Sequence, residues 1–381
     1  RERTYRRMRY KFNYILLLVI MFYASSLNIG AANSVIDHPA PEKAVVEEEL
    51  NVKELILGHL ADSYEWHVWS NGEKHITISL PVILHSKSSG WHFCSSSKFN
   101  HGNSIYKGCQ IASKGEYSGK IVELDGEGNE IRPLDLSMTK NAAALIINSI
   151  ILIAIILAVA RVMKRDPLKS NKGFTGLMEM VILMIEDEVI KPTVGKDYKR
   201  YSPFLLTVFF FIFINNLIGL IPFFPGGANV TGNIAVTMVL AIATFIVVNF
   251  TGSKAYYKEI FWPDVPTWLK VPFPLMPIIE VVGIFTKPFA LMIRLFANIM
   301  AGHAIVLGLT CLVFITVSLG PAINSSMTAL SVVFSVFINF VELLVAFIQA
   351  YVFTLLSAVF VGLARDDHSE DNKKVAESSV T

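Results

Sequence analysis

A cluster of polar and charged side chains lies inside the most apolar part of the sequence, in the stretch LMIRLFANIMAGHAI. Arg294, Asn298 and His303 belong to this stretch, and Glu342 and Gln349 lie in the next apolar run. An arginine stays charged at neutral pH, whereas histidine and glutamate side chains can exchange protons. One fixed cation between groups that titrate is suited to moving protons while blocking a direct leak past the cation.

The spacing of these groups predicts how they are arranged on a helix. Glu280, Lys287 and Arg294 are each seven residues apart, and seven steps of an α-helix leave an offset of about 20°. These three side chains therefore form one stripe, with Asn298 close to it. His303 is predicted on the opposite face of the same helix.

Structural roles compete with this interpretation. An arginine in mid-membrane costs about 2.5–3.5 kcal/mol on insertion scales, so Arg294 needs a compensating partner. One structural role is an ion pair with Glu280 or Glu342 that fixes helix packing. Asn298 and Gln349 are residue types that commonly form hydrogen bonds between membrane helices.

The composition indicates a membrane protein with a soluble portion. Hydrophobic residues make up 53% of the 381 residues and charged residues 17%, against about 25% charged in an average soluble domain. No basic patch with interleaved aromatic residues occurs, which argues against a nucleic-acid partner. We expect an all-α polytopic membrane protein with single spans and a long tilted helical hairpin, preceded by a small extracytoplasmic α/β segment.

The N-terminus has the pattern of a secretory signal peptide. Met8 is a candidate initiator, with residues 1–7 as an upstream extension, and a basic stretch then precedes the apolar run YILLLVIMFYASSL. Small residues up to Ala32 suit cleavage, which predicts a signal peptide over 1–32. The alternative is a first transmembrane helix, but the run is short of the roughly 20 residues that a span requires. Residues 33–140 are then expected outside the cytoplasm.

This exported segment is predicted to be small and mixed. Val45–Trp66 has the acidic start of a helix, Glu73–Ser86 alternates like a strand, and Gly115–Glu130 is typical of two short strands around a turn. Cys94 and Cys109 could pair in an oxidising compartment. Seven of the nine histidines lie here, but their spacing matches no zinc pattern, so we predict no metal site and no cofactor.

Three single spans and one amphipathic helix are predicted before the last apolar region. Asn141–Ala160 is followed by a basic flank, which places its C-terminal end in the cytoplasm. Phe174–Ile190 is predicted as an amphipathic helix at the cytoplasmic membrane surface, after which Pro203–Phe224 spans outward and Asn233–Phe250 returns. The apolar face of the amphipathic helix consists of Phe174, Leu177, Met178, Val181, Ile185 and Val189.

The last apolar region, predicted as Leu275 to Leu319 and Met327 to Leu363, is too long for two upright spans. As helices the two runs would reach about 67 and 55 Å, against a hydrocarbon thickness of about 30 Å. No charged loop interrupts either run, so two long tilted helices joined by the turn GPAINSS fit better than four short spans. The polar tail, 364–381, is expected in the cytoplasm.

The stretches RLFANIMAGH and VELLVAFIQAYVFTLLS strongly resemble subunit a of F-type ATP synthases. The resemblance covers the predicted membrane domain, 141–363, and includes PFLLTVFFFIFINNLIGLIP and TGNIAVTMVLA in the earlier spans. Members of this family form the membrane stator beside a rotating ring of c subunits. Residues 33–140 match only a long-form variant of the family, and the resemblance assigns them no function.

The resemblance implies a role for the polar residues of the hairpin. Arg294 takes the position of the essential arginine, which keeps the carboxylates of the ring ionised and separates two aqueous half-channels. Glu280 matches an acid in the cytoplasm-side path, and Asn298 and Gln349 match polar residues that line the region. Asn216 matches the asparagine of the family's earlier span.

His303 and Glu342 match the pair at the outer half-channel in exchanged order, because many members carry glutamate at the first position and histidine at the second. The exchange preserves one acid and one imidazole. Gly219 stands where some members carry an acid, so a proton role is not expected there. Lys287 and Asn216 are predicted to be polar residues that support the proton path.

The resemblance also implies partners and a location. We expect a non-catalytic, proton-translocating subunit that contacts a c-subunit ring, peripheral-stalk b subunits and lipid in a bacterial inner membrane, with its C-terminus cytoplasmic. Sodium is the alternative ion, because selectivity should lie mainly in the ring. Two other classes are a secondary transporter that holds an anionic substrate at Arg294, although such proteins usually show repeats, and a scaffold whose polar residues only pack.

Overall fold

The computed structural model of the chain describes residues 62–71, 74–86, 90–102, 104–112, 117, 119–124, 130–165, 171–221, 227–262 and 275–365. Two predictions lie outside these residues, namely the signal peptide over 1–32 and the polar tail beyond residue 365. The helix predicted over Val45–Trp66 lies outside them except for its last five residues.

The N-terminal segment is built of short antiparallel strands. In its described residues they are β1 (Glu65–Asn71), β2 (Lys74–Ser79), β3 (Pro81–Ser86), β4 (Gly90–Ser95), β5 (Cys109–Ile111), β6 (Ile121–Leu124), β7 (Glu130–Ile131) and β8 (Leu134–Asp135). They form a two-stranded sheet, β1-β2, and two three-stranded sheets, β4-β3-β8 and β5-β6-β7. Alternation along β3 buries Val82 and Leu84 and leaves Pro81 exposed, as expected for a half-buried strand.

The two stretches predicted as strands do form strands, but the first was predicted as one strand and is two. The stretch Glu73–Ser86 divides into β2 and β3, because β2 pairs with β1 whereas β3 pairs with β4. The stretch Gly115–Glu130 contains β6 and reaches β7, which pair with each other. The helix predicted over Val45–Trp66 is wrong at its C-terminal end, since Glu65 and Trp66 pair with β2 as the first residues of β1.

The strands enclose a small core that contains one of the two cysteines. Its buried members are Tyr64, Val82, Leu84, Phe99, Cys109 and Ile121. Cys94 packs against this core, both cysteines are free thiols, and burial raises the pKa of each. The Tyr64 hydroxyl donates a hydrogen bond to the Asp135 carboxylate, and burial, reinforced by that carboxylate, raises the pKa of Tyr64.

The strands are attached directly to the first membrane helix, α1 (Lys140–Arg165). The Lys140 N–H donates to the Ser63 carbonyl at 2.7 Å, so the start of the described chain is held at the start of α1. Trp66 and Leu80 belong to the same hydrophobic core as the first turns of that helix. The N-terminal segment is therefore packed against the end of the helical bundle.

The rest of the chain is helical. After α1 the helices are α2 (Gly173–Met184), α3 (Lys191–Val194), α4 (Tyr198–Gly219), α5 (Ile234–Thr251), α6 (Lys254–Phe261), α7 (Leu275–Ile315) and α8 (Pro321–Arg365). Within the described residues, five helical stretches are long and apolar enough to cross a membrane. The prediction of a polytopic helical membrane protein is confirmed at this level.

The amphipathic helix predicted at Phe174–Ile190 is wrong as one uninterrupted surface helix. α2 ends at Met184, and a π-helical turn, Ile185–Ile190, leads through α3 towards α4. The predicted face divides, because Met178, Ile185 and Val189 are buried whereas Phe174 and Leu177 are exposed. The reason is packing, since α4 and α8 cover the π-helical turn and the first turn of α2 lies away from them.

The hairpin of two long helices is confirmed. α7 has 41 residues and α8 has 45, which corresponds to about 61 and 67 Å at the usual helical rise. Between them lie a 3-10 turn, Thr316–Leu319, and Gly320, whose φ is +106°. The predicted turn GPAINSS is too long, because Pro321 begins α8 at a position where the fixed φ of proline suits the first turn.

α8 packs on most of the other helices of the bundle. α8 packs on α4, α5 and α7, and α7 also packs on α5. Each candidate span contains an apolar stretch of 18 residues. In Gly173–Gly219, 72% of this stretch is buried, whereas in each long helix of the hairpin only 11% is buried. The hairpin therefore turns a wide apolar surface away from the rest of the chain.

Candidate functional site

A pocket lies where α4, α7 and α8 meet the loop before α5. It encloses about 310 Å³, part of which is open to solvent. Its polar lining consists of Asn216, Asn229, Thr231, Asn298, His303 and Glu342, and we call it the polar pocket. Four of the residues that the sequence singles out are thus brought together, two from α7 and one each from α4 and α8.

Asn216 connects three parts of the polar pocket. The Thr231 hydroxyl donates to Asn216 Oδ1 at 2.6 Å, and Asn216 Nδ2 donates to the Ala346 carbonyl at 3.3 Å. Asn216 is 3% exposed and Thr231 is 1% exposed. Both hydrogen bonds are therefore shielded from water, and they fix the loop before α5 and the middle of α8 to the end of α4.

His303 and Glu342 enter the polar pocket from the two helices of the hairpin, and both are partly buried. The pocket also contains Asn229, whose Oδ1 accepts from the Gly232 N–H at 2.8 Å. The Asn229 Nδ2 atom is buried and has no hydrogen-bond partner among the described residues. A donor in a pocket that is partly open to solvent is suited to binding water.

Arg294 lies outside the polar pocket, on the surface of α7. Leu291 and Leu295 on the same helix are only 2% and 1% exposed, whereas Arg294 is exposed, so the helix turns the guanidinium away from the bundle. Among the described residues no salt bridge joins Arg294 to Glu280 or Glu342. The ion pair considered as a structural role is therefore not formed in this chain.

The predicted stripe follows this outer surface of α7. Lys287 and Asn298 are exposed like Arg294, and Glu280 is partly exposed near the start of the helix. Gln349 on α8 differs, because it is 6% exposed and does not line the polar pocket. The eight residues singled out by the sequence thus lie in the polar pocket, on the stripe or in the interior, and Asn298 belongs to both the pocket and the stripe.

A second pocket lies among α5, α6, α7 and α8 and encloses about 360 Å³, part of it open to solvent. We call it the lysine pocket, because Lys287 lines it with its Nζ 5.8 Å from the centroid of the Phe360 ring. The Tyr256 hydroxyl donates to Asn249 Oδ1 at 3.4 Å. Burial, and to a smaller extent the nearby Glu280 carboxylate, raises the pKa of Tyr256.

Sequence reasoning missed two residues that line the polar pocket, Asn229 and Thr231, and a third, Gly302, that lies against one of its lining side chains. The first two lie in the stretch PGGANVTG, where the only signal is an asparagine and a threonine in an uncharged loop. Gly302 precedes His303 and lies against the Glu342 side chain. No property of a single glycine in an apolar run predicts that contact.

The fold defines the class of protein as a helical membrane protein that ends in a hairpin of two long helices, with polar side chains on both. Comparison with known proteins identifies the family more closely. Residues 144–362 match the family model described as ATP synthase A chain. The chain therefore belongs to the family of subunit a of F-type ATP synthases, which is a non-catalytic component of the membrane sector.

Individual relatives are similar over about two thirds of the chain. The chain is 42% identical to ATP synthase subunit a 2 of Chlorobaculum tepidum over 245 residues. This alignment covers 62% of this chain and 65% of that relative. It is 41% identical to ATP synthase subunit a of Chloroherpeton thalassium, covering 64% and 71% of the two chains. For ATP synthase subunit a of Myxococcus xanthus the identity is 39%, covering 64% and 80%.

A second family model matches the N-terminal segment. It is described as a domain of unknown function, DUF8433, and covers residues 55–141. The match ends at the start of α1. The strands β1 to β8 are therefore covered by a family model that is separate from the one that matches the helices.

Proposed function

We propose that this chain is the proton-channel stator subunit of an F-type ATP synthase and couples proton flow to rotation of a c-subunit ring. The observation that carries the proposal is Arg294, an exposed guanidinium on an apolar helix surface without an ion-pair partner among the described residues. A permanent cation in such a place needs an anion from outside the chain. A ring of carboxylates that passes α7 supplies one.

The strength of this interaction is sufficient for the role. A cation and a carboxylate about 4 Å apart attract each other by about 4 kcal/mol at an effective dielectric constant of about 20. That energy lowers the pKa of the carboxyl group by about 3, which offsets much of the rise caused by burial in an apolar site. A ring carboxyl group beside Arg294 therefore loses its proton and regains it only after it has moved away.

The two pockets are suitable ends for two half-channels. At the helical rise Arg294 lies about 10 Å along the axis from Lys287 and about 14 Å from His303. The polar pocket leads from the outer face through His303 and Glu342 to the ring. The lysine pocket and Glu280 lie on the way to the cytoplasm. Arg294 separates the two paths, so a proton crosses only with the ring.

The orientation and the partners follow from the same proposal. The basic flank of α1 lies in the cytoplasm by the positive-inside rule. The strands β1 to β8 at the other end of α1 then lie on the outer side of a bacterial inner membrane. The exposed surface of α7 faces the c-subunit ring. Peripheral-stalk b subunits and lipid cover other parts of the exposed helices.

Replacement of Arg294 tests this function. ATP-driven proton pumping into inverted membrane vesicles is expected to be abolished by Arg294→Ala, with the assembled complex still present in the membrane. The matched control is Thr286→Ala, because Thr286 is exposed on the same helix and binds only the Gly283 carbonyl of its own turn. Pumping at the wild-type rate in an assembled Arg294→Ala complex would refute the proposal.

A further inference from the structure

The carboxylate of Glu342 occupies space that exists only because residue 302 of α7 is glycine. A β-carbon built on Gly302 would overlap Glu342 Oε1 and would lie 3.0 Å from Cδ and 3.1 Å from Cγ of the same side chain. Real β-carbons are essentially never found as close to another atom as this one would be to Oε1, and the other two distances are unusually short. The Glu342 side chain of α8 therefore lies across the backbone of α7, directly beside the residue that precedes His303.

Other glycines of α7 show that this contact is specific. A β-carbon at Gly283 or Gly308 would have no heavy-atom neighbour within 4 Å. Conformational freedom does not explain Gly302 either, because its φ lies outside the left-handed region and it is a residue of a regular helix. An alanine would be favoured over glycine at a helical position by about 1 kcal/mol, so this glycine is placed against the local preference.

We propose that Gly302 is a positioning residue that places the Glu342 carboxylate in the polar pocket, where it takes part in proton transfer. The role rests on the proposed function of that pocket. The atoms that crowd residue 302 are the flexible end of one side chain and not backbone. An added methyl group therefore displaces the carboxylate while the two long helices keep their packing.

The inference predicts that Gly302→Ala retains assembly and loses proton transfer. ATP-driven pumping is expected to fall by roughly 10²-fold, the usual contribution of a positioned proton-transfer group. Gly308→Ala and Gly283→Ala are the matched controls and are expected to pump like the wild type. Immunoblots of the purified complex report assembly. Wild-type pumping by Gly302→Ala would overturn the inference.

A second variant separates displacement of the carboxylate from general damage to the hairpin. Glu342→Asp shortens the side chain by one methylene group, which gives space for the methyl group of alanine. The Gly302→Ala/Glu342→Asp double variant should therefore pump faster than Gly302→Ala alone. If Gly302→Ala fails to assemble, the double variant should restore assembly. A double variant that is no better than Gly302→Ala in either measurement would overturn the inference.

These variants distinguish failure of the positioning role of Gly302 from failure of the proposed function. If Gly302→Ala lowers pumping and the double variant recovers it, but Arg294→Ala pumps like the wild type, the contact exists and Arg294 does not have the proposed role. If Arg294→Ala abolishes pumping while Gly302→Ala leaves it unchanged, the function stands and the positioning role of Gly302 is wrong.

Discussion

The acid and the imidazole of the polar pocket come from different helices, His303 from α7 and Glu342 from α8. The resemblance described in the sequence analysis implies that many members of the family carry the two groups in the opposite order. Because both positions face one pocket, either order supplies one carboxylate and one imidazole to the same water-accessible space. A pair of two acids or two imidazoles would place like charges together, which disfavours the charged form of each group.

We predict that exchanging the two residues is tolerated better than changing either one. His303→Glu and Glu342→His are each expected to lower ATP-driven pumping by roughly 10²-fold. The double exchange should recover part of this loss, because it restores one acid and one imidazole. Thr310→Ala, an exposed position on α7, provides the control. Pumping by the double variant at or below that of both single variants would contradict the prediction.

Asn216 is predicted to stabilise the bundle through its two buried hydrogen bonds. Asn216→Ala leaves the Thr231 hydroxyl without its acceptor, which should lower the free energy of unfolding by about 1–3 kcal/mol. Asn339→Ala is the matched control, because Asn339 is exposed and donates only to the Ser335 carbonyl of its own helix. Thermal unfolding of the two variants in detergent gives the comparison. Equal midpoints would show that the Asn216 bonds contribute nothing.

At the residue scale, the sequence predicts side chains with a charge and misses those that act through shape or neutral hydrogen bonds. Arg294 and Glu342 are conspicuous because a charge in an apolar run is energetically expensive. Thr231 and Gly302 have no such signal, since threonine and glycine are common in membrane proteins. Their importance depends on which atoms of other helices lie beside them, and only the fold supplies that information.

At the scale of secondary-structure elements, the backbones of α8 and α3 approach each other closely at Gly362. A β-carbon at Gly362 would overlap the Thr193 carbonyl oxygen and would lie 3.2 Å from its carbon. Unlike the neighbour of Gly302, this neighbour is backbone of α3 and cannot rotate away. The C-terminal end of α8 is held further by the ion pair between Arg365 and Asp197.

We therefore predict that Gly362→Ala separates α8 from α3 and lowers the free energy of unfolding by about 1–3 kcal/mol. Gly308→Ala on α7 is the control, with open space around its β-carbon. The thermal midpoint of the purified protein in detergent should fall for Gly362→Ala only. A midpoint equal to that of Gly308→Ala would show that the two helices are free to separate without loss.

The helices are predicted best where the length of an apolar run alone determines the structure. The apolar runs around α7 and α8 are too long for single upright spans, and the two long helices follow from that. The start of α8 is missed because Pro321 is read as a loop residue, although proline suits the first turn of a helix. The burial of the π-helical turn Ile185–Ile190 is missed because it depends on α4 and α8, and α8 lies far away in sequence.

On the scale of the whole molecule, the N-terminal segment is packed against the start of α1, and the hairpin exposes a wide apolar surface that faces away from the rest of the chain. The sequence predicts a soluble segment followed by spans, because composition changes sharply at Asn141. It does not predict how the two parts are attached. The hydrogen bond between Lys140 and Ser63 joins residues far apart in the chain, and no local pattern indicates such a pairing.

The proposed orientation predicts on which side of the membrane each part reacts. In a chain whose native cysteines are replaced by serine, Phe93→Cys lies on an exposed site of β4 and Lys258→Cys on an exposed site of α6. A membrane-impermeant maleimide should label only Phe93→Cys in spheroplasts and only Lys258→Cys in inverted vesicles. The cysteine-free chain is the control. Labelling of both sites from one side would contradict the orientation.

The central claim is that the fixed charge of Arg294 prevents protons from crossing unless the ring turns. Proton conduction through membranes stripped of the catalytic sector, with the ring covalently cross-linked to the stator, tests it most directly. The account predicts that the cross-link stops conduction when Arg294 is present and that the Arg294→Ala membrane continues to leak. Equal blockage of both membranes by the cross-link would contradict it.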